Sequence, residues 1–348
     1  MLPYGQSTGG TGQVRRREFI TLCGGVAAWP LAARTQALAR RPLIMESGTA
    51  QAAAIAVAAS NDFAGLIDIG GRRLYLACKG SGSPTVILEA GAGNNGDTWS
   101  MVEPQGTGKI SVFDGVAEFT RVCAYDRPGT VSGVQTHQRS RSDPAPMPRS
   151  AGDVVADLRA LLAAARVRPP YVLVGHSFGG LIARLFASSV PDDVVGLVLV
   201  DAAHEDYWAK LKALMTPAQW ERLIQTPPEL ADYRDVEKLD FDASAAEMRR
   251  AAAAKPLRPL PLVVLSRGRP MEIPADLLAH LPPDYVAAQE KLWRELQDAL
   301  AALVPGARHV IATKSGHDIQ ITEPDLVITA VRQVVDAARR GAAGRKPG

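Results

Sequence analysis

Pro170-Tyr171-Val172-Leu173-Val174-Gly175-His176-Ser177-Phe178-Gly179-Gly180 carries a strand, a sharp turn and the start of a helix in one short stretch. Tyr171 to Val174 is apolar and rich in strand formers. After the turn, Leu181, Ile182, Leu185 and Phe186 recur at helical spacing. Ser177 therefore sits at the tip of a strand-to-helix turn. A serine hydroxyl is a weak nucleophile unless it is exposed, rigidly held and placed beside a base. Glycines two residues to either side remove the Cβ atoms where strand and helix nearly touch, so the serine can adopt a strained conformation. The helix start also turns free backbone N–H groups towards the same point. The competing reading is a glycine-rich turn whose serine only caps a helix, so the rest of the chain has to decide.

Around this stretch the composition is that of an ordinary globular chain: 348 residues, 47% hydrophobic, 22% charged, net charge +3. The length permits one large or two medium domains and a sizeable core. The charge is too small and too scattered to argue for nucleic acid. Arg15-Arg16-Arg17-Glu18-Phe19-Ile20 opens a short apolar run from Leu22 to Ala33, followed by small-residue cleavage options at Ala37 and Ala39. A basic start, an apolar run too short to span a bilayer and an Ala-x-Ala end are the parts of an export signal. The paired arginines before Phe19 resemble the twin-arginine type, so residues 1–39 are expected to direct bacterial export to the periplasm or beyond. A basic tail, or a start codon placed too early, are the other readings. Removing that segment takes four arginines and one glutamate and leaves basic and acidic residues in balance.

Residues 40–62 are Ala-rich and read as a linker. From Phe63 strands and helices alternate. A hairpin turns at Gly70-Gly71, and Thr85–Glu89 is a buried strand running into Ala90-Gly91-Ala92-Gly93-Asn94. Arg121–Asp126 is the next strand, and a helix capped by Ser150 delivers the chain to Tyr171. Val194–Val200, Leu262–Ser266 and His309–Ala312 are further strands, with amphipathic helices over 284–303 and from Pro324 to Arg339. Residues 203–260 change character, being Ala- and Leu-rich, broken by prolines and carrying Trp208, Trp220 and Phe241. The alternation predicts an α/β fold with a mostly parallel central sheet and helices on both faces.

Gly-His-Ser-Phe-Gly in this setting resembles the nucleophile elbow of the α/β-hydrolase superfamily, and the resemblance spans residues 63–340. It implies a hydrolase core over 63–202 and 261–340, a helical cap inserted at 203–260 and a short tail, 341–348. It also implies Ser177 as nucleophile and an oxyanion hole built from backbone N–H groups. Where the family usually carries His-Gly, this chain has Ala90-Gly91, so the role passes to the N–H of Ala92, with Phe178 as its partner. Asp126-Arg127-Pro128-Gly129 is similar to a family turn that shapes the site wall, and Asp126 is assigned no chemistry.

Six histidines compete for the base. His176 adjoins the nucleophile at a position that is usually structural, His137 and His280 lie in polar loops, His309 starts a strand, and His204 lies at the cap entrance. His317, in Ser315-Gly316-His317-Asp318 after the last strand, stands where the family places its base, in the order serine, acid, histidine. The acid must hold the imidazole tautomer and stabilise the imidazolium. Asp201, ending Val194–Val200, is favoured, with Glu272 and then Asp276 after the following strand as alternatives. No His-x-x-x-His or Cys-x-x-Cys spacing occurs, so no metal or other cofactor is expected. A dehalogenase or epoxide hydrolase of this fold would carry aspartate at the elbow, which Ser177 argues against. The expected activity is hydrolysis of small carboxylic esters through an acyl-enzyme. The alternatives are a cofactor-free perhydrolase or acyl transferase on the same residues, and a non-catalytic binding protein on the same fold. No membrane span is expected. Finally, the superfamily's sheet order makes the strands of Cys78 and Cys123 antiparallel neighbours, which implies a disulfide; two buried thiols are the other reading.

Overall fold

The structure is a computed structural model, and it describes residues 62–132, 138–225, 235–273 and 275–343. The expected signal 1–39, nearly all of the 40–62 linker and His137 lie outside the described residues.

The hairpin of β1 (Phe63–Asp68) and β2 (Arg73–Lys79) turns on Gly70 and Gly71, both at positive φ. Next come β3 (Thr85–Glu89), helix α1 (Val112–Ala117) and β4 (Val122–Tyr125). A small ribbon, β5 (Val131–Ser132) with β6 (Gln138–Arg139), precedes helix α2 (Ala151–Ala164). Ser150 caps α2 in a reciprocal box with Asp153. The turn read from sequence joins β7 (Tyr171–His176) to α3 (Phe178–Ser189), and β8 (Val194–Val200) follows. Helices α4 (Tyr207–Lys212), α5 (Pro217–Ile224) and α6 (Phe241–Ala254) lie between β8 and β9 (Leu262–Arg267). The chain then runs through α7 (Ala275–Leu278), α8 (Tyr285–Ala301), β10 (Arg308–Ala312), α9 (Ile319–Thr322) and α10 (Pro324–Ala343).

Eight strands form one sheet in the order β1-β2-β4-β3-β7-β8-β9-β10, antiparallel at β1–β2 and β2–β4 and parallel from β4 to β10. The central strands read as unbroken apolar runs because helices cover both faces. Side chains alternate between those faces. Ile87, Leu173, Leu199 and Val264 pack with Leu158 and Leu161 of α2 and Leu181 and Phe186 of α3. Val86, Leu88, Val172, Val174, Val198 and Leu265 pack on the other side with Val116 of α1 and Val331 and Val334 of α10. A third cluster joins Tyr207, Leu211 and Leu223 to Met271, Leu281, Tyr285 and Trp293, so helices before and after β9 share one core.

Cys78 and Cys123 stand opposite one another in the β2–β4 register, with Cα atoms 4.1 Å apart, and are joined as a disulfide. Among the described residues no helix is long and apolar enough to cross a membrane.

Parallel strands place their carboxyl ends on one edge of the sheet, where such folds bind ligands. Ala90, Ser177 and Asp201 directly follow β3, β7 and β8, Arg267 ends β9, and His317 follows β10.

Candidate active site

Ser177 has φ 53 and ψ −125, a left-handed backbone that costs a non-glycine residue about 1–3 kcal/mol. Three hydrogen bonds hold it there: its N–H donates to Val200 O at 3.1 Å, and its carbonyl accepts from Gly180 N at 3.0 Å and Ala203 N at 2.8 Å. Its side chain makes no capping hydrogen bond to α3, which removes the helix-cap reading. The neighbouring glycines are a packing necessity. A Cβ on Gly175 would strike the backbone of Gly179, and one on Gly180 would strike Ala202. One on Gly179 would lie 2.5 Å from the carbonyl oxygens of both Glu89 and Ala90.

On one flank of Ser177, the buried His317 ring directs Nδ1 to Asp201 Oδ2 at 2.6 Å. Asp201 has no exposed surface and, like Ser177, a left-handed backbone, φ 39. Its Oδ1 accepts from the Arg267 backbone N–H at 3.0 Å and from Trp293 Nε1 at 2.8 Å. Its Oδ2 also accepts from Arg267 Nη1 at 2.9 Å. Burial by itself would raise this carboxyl. The Arg267 charge and the His317 hydrogen bond outweigh it and hold Asp201 well below the usual carboxylate range. Arg267 is paired in turn with Glu290 at 2.7 Å and lies 4.5 Å over the Trp293 ring. Glu272 is exposed, and the Asp276 side chain lies outside the described residues. Asp201 is thus the carboxylate that meets His317.

The other histidines serve the surroundings. His176 Nε2 lies 3.0 Å from the His317 carbonyl, which makes Nε2 the protonated nitrogen of a neutral ring. Burial, with His317 close by, lowers its pKa to about 3. His309 meets Ser266 Oγ at 2.7 Å, His204 accepts from Asp206 N–H at 3.1 Å, and His280 is exposed.

On the other flank lies the loop after β3. A Cβ on Gly91 would come within 3.1 Å of Ser177 Cβ and 2.9 Å of His176 Nδ1, so the loop runs directly against the elbow. Arg127, assigned only to the wall by its motif, is buried beneath that loop and donates to Ala90 O at 2.8 Å and Gly91 O at 2.6 Å. Asp126 does scaffold work, accepting from Gly96 N–H at 3.1 Å and pairing with Arg141 at 2.7 Å. Beyond the loop a cavity of about 490 Å³ is lined by Ala92, Gly93, Trp208, Trp220, Val236 and Phe241. Phe241 links it to the elbow, lying edge-to-face with Phe178 at 5.5 Å and stacked on Trp208 at 4.1 Å. Among the described residues no group of three or more His, Cys, Asp or Glu is arranged to hold a metal ion.

Sequence reasoning missed Arg267, Trp293 and Glu237. Arg267 was visible as a charge closing an apolar strand, while Trp293 was read only as the core of an amphipathic helix. Glu237, which meets Gly93 N–H at 2.6 Å, left no local signal.

Known proteins agree with this architecture. A Bacillus subtilis (strain 168) protein named Uncharacterized protein YqjL is 28% identical over 265 residues, 76% of this chain and 88% of that one. Alpha/beta hydrolase domain-containing protein 10 from mouse superposes with a TM-score of 0.52 at 16% identity, over 79% of this chain and 98% of that one. A thermophilic esterase from Thermogutta terrifontis superposes with a TM-score of 0.50 at 17% identity, over 79% and 99%. These two structures share the fold. The sequence pattern of the Alpha/beta hydrolase family matches residues 86–330, most of the chain, and this protein belongs to that family.

Proposed function

We propose that the protein is a serine hydrolase that cleaves small carboxylic esters through an acyl-enzyme. The observation that carries this reading is the 2.6 Å contact between His317 Nδ1 and the buried Asp201 carboxylate. It commits Nδ1–H to the acid and leaves the Nε2 lone pair to act as base. In the proposed reaction Ser177 Oγ attacks the ester carbonyl carbon and passes its proton to His317 Nε2. The carbonyl oxygen becomes an oxyanion held by the N–H groups of Ala92 and Phe178, each worth about 3–4 kcal/mol in the transition state. Collapse of the tetrahedral species expels the alcohol, which takes the proton from His317. Water then enters by the same route, and Ser177 is regenerated as the acid product leaves. The aromatic wall formed by Phe241, Trp208 and Trp220 favours an uncharged, apolar group on the ester.

The decisive experiment labels the native protein with a fluorophosphonate and follows hydrolysis of p-nitrophenyl esters of rising chain length. Labelling and turnover that vanish in Ser177→Ala are expected. A native protein that takes no label, and matches Ser177→Ala, ends the enzyme reading. We also propose export by the twin-arginine route, a reading with which the Cys78–Cys123 disulfide is in keeping. N-terminal sequencing of protein recovered from the periplasm tests it, with a start just after Ala37 or Ala39 expected and an intact Met1 as the contrary result.

A further inference from the structure

Resting on the serine-hydrolase reading, we propose that Glu237 and Arg127 form a buried clamp that fixes the Ala90–Gly93 loop, so that the segment between β8 and β9 sets the oxyanion hole. Both are positioning residues. The loop they hold carries glycine at positions 91 and 93, the latter at φ 73, and its own backbone bonds include Asn94 N–H to Gly91 O at 3.1 Å and Val131 N–H to Gly93 O at 2.8 Å. An oxyanion donor acts only if its N–H is fixed before charge develops.

The clamp grips the loop from both ends. Arg127 Nη1 donates to Ala90 O at 2.8 Å and Nη2 to Gly91 O at 2.6 Å. In a planar trans peptide the N–H points opposite to the C=O. Holding Gly91 O on Arg127 therefore turns the Ala92 N–H to the side away from Arg127. At the far end, Glu237 Oε2 accepts from Gly93 N–H at 2.6 Å. The two side chains lock each other: Arg127 Nε donates to Glu237 Oε1 at 2.6 Å and Nη2 to Oε2 at 3.0 Å. Glu89, whose Oε2 accepts from Tyr125 Oη at 2.5 Å, takes a third Arg127 bond at 2.7 Å on Oε1. All three charged side chains are at least 97% buried.

Glu237 reaches this position because its own backbone is stitched to the core. Its N–H donates to Gly129 O at 2.8 Å, and a Cβ on Gly129 would lie 2.7 Å from Glu237 N. Arg149 N–H donates to Lys238 O and Asp240 N–H to Arg149 O, both at 2.8 Å. The same segment, through Val236 and Leu239, walls the cavity beside Ala92. One short stretch thus shapes the cavity and holds the loop that would bear the oxyanion donor.

The test compares Glu237→Gln and Glu237→Asp with wild type. Glu237→Gln removes the charge that locks Arg127. Glu237→Asp keeps the charge but draws it back from Gly93, and serves if the first variant does not fold. Four readings are taken: kcat and KM on a p-nitrophenyl ester, affinity for an aryl trifluoromethyl ketone that adds to serine as an oxyanion, melting temperature, and hydrogen exchange of residues 89–96. The clamp requires kcat to fall on the order of ten- to hundred-fold with KM nearly unchanged, and ketone affinity to fall by the same factor. Exchange in 89–96 must also rise in a folded protein. Wild-type kcat, ketone affinity and exchange in both variants would overturn it. If wild type shows no esterase activity, the serine-hydrolase reading is what has failed, and exchange alone decides whether Glu237 holds the loop.

Discussion

On the His317 flank of Ser177 the groups that would react are side-chain atoms, and a buried carboxylate gathers donors around itself: His317, Arg267 twice, and Trp293. On the loop flank the arrangement is inverted. The groups that would react are backbone N–H groups, and buried side chains, Arg127 and Glu237, hold the backbone in place. The first flank is specified by which residues stand at or beyond three strand ends, with Trp293 added from α8. The second is specified by an ion network whose members are far apart in sequence and adjacent only after folding. Chemistry done by side chains is written in residue type, whereas chemistry done by the main chain is written in whatever fixes its conformation.

The largest expected effect breaks the first flank. Asp201→Asn keeps the size but presents an amide to His317 Nδ1 and so supports the wrong tautomer; kcat is expected to fall by about 10⁴. Arg267 loses its buried partner at the same time, so circular dichroism accompanies the kinetics to confirm that the variant is folded. Glu272→Gln, altering an exposed carboxylate, should remain near wild type. Were Glu272→Gln to carry the loss and Asp201→Asn to spare the rate, the assignment of the acid would be wrong.

The second effect, on stability, concerns the strand that delivers Arg127. Tyr125 ends β4 two residues before Arg127, and the same strand is tied to β2 through Cys123 and Cys78. The bridge spans a sequence separation of 45, for which the loop-entropy estimate is about 4 kcal/mol as an upper figure. Replacing both cysteines by alanine should lower the denaturant midpoint accordingly while leaving kcat of the folded enzyme close to wild type. Unchanged stability, or two thiols alkylated without reductant in the unfolded protein, would remove the bridge from the account.

A smaller change probes where the two flanks meet. Gly179→Ala introduces a Cβ 2.5 Å from the carbonyl oxygens of Glu89 and Ala90, both backbone atoms with no rotamer to yield. Overpacking of this kind costs about 1–3 kcal/mol. One of the displaced atoms, Ala90 O, belongs to the loop, and the other ends the strand that leads into it, so kcat should fall more than the loss of stability alone explains. A variant as stable and as active as wild type would show that the loop tolerates movement, and would weaken the case for a clamp.

The difference between the flanks also explains what could be read before folding. The elbow was legible because strand, glycines and helix are contiguous, and the close approaches at Gly175, Gly179 and Gly180 disfavour any side chain there. Asp201 was legible as a carboxylate ending an apolar strand, and His317 through the resemblance of its Ser-Gly-His-Asp turn, after the last strand, to the family's base position. The alternative of Glu272 stood open because the resemblance also allows the acid to come from the loop after the following strand, and the structure leaves Glu272 exposed while Arg267, which ends that strand, pairs with Asp201. Glu237 was not legible at all. It lies between helices in a polar stretch, and its meaning comes from Arg127, more than a hundred residues earlier. The shared core of Tyr207, Leu211, Met271 and Trp293 was hidden for the same reason, since each element reads separately as an amphipathic helix or a loop.

The smallest effect belongs to His176, which lies beneath both flanks: its Nε2 meets the His317 carbonyl, and its Nδ1 lies 2.9 Å from where a Gly91 Cβ would stand. Burial, then the nearby His317, lower its pKa from 6.5 to about 3. The unfolded chain therefore takes up a proton near pH 6.5 that the native protein refuses until about pH 3. Stability linked to this group is fully present above pH 6.5 and declines as pH falls towards 3, by at most about 1.4 kcal/mol per unit. Asp201 contributes in a different window. Its native pKa is depressed, so its stability is present above the unfolded carboxylate value near 3.8 and is lost only at lower pH. Between pH 7 and pH 5 the two are therefore separable. His176→Gln retains a side-chain donor for the His317 carbonyl and removes the titration. Urea midpoints of wild type and variant at the two pH values should differ by up to about 2 kcal/mol in their pH dependence, wild type losing more at pH 5. Other titrating groups cancel in that comparison. Parallel loss in both proteins would mean that His176 is protonated in the native state at pH 5, and that neither flank rests on a neutral ring.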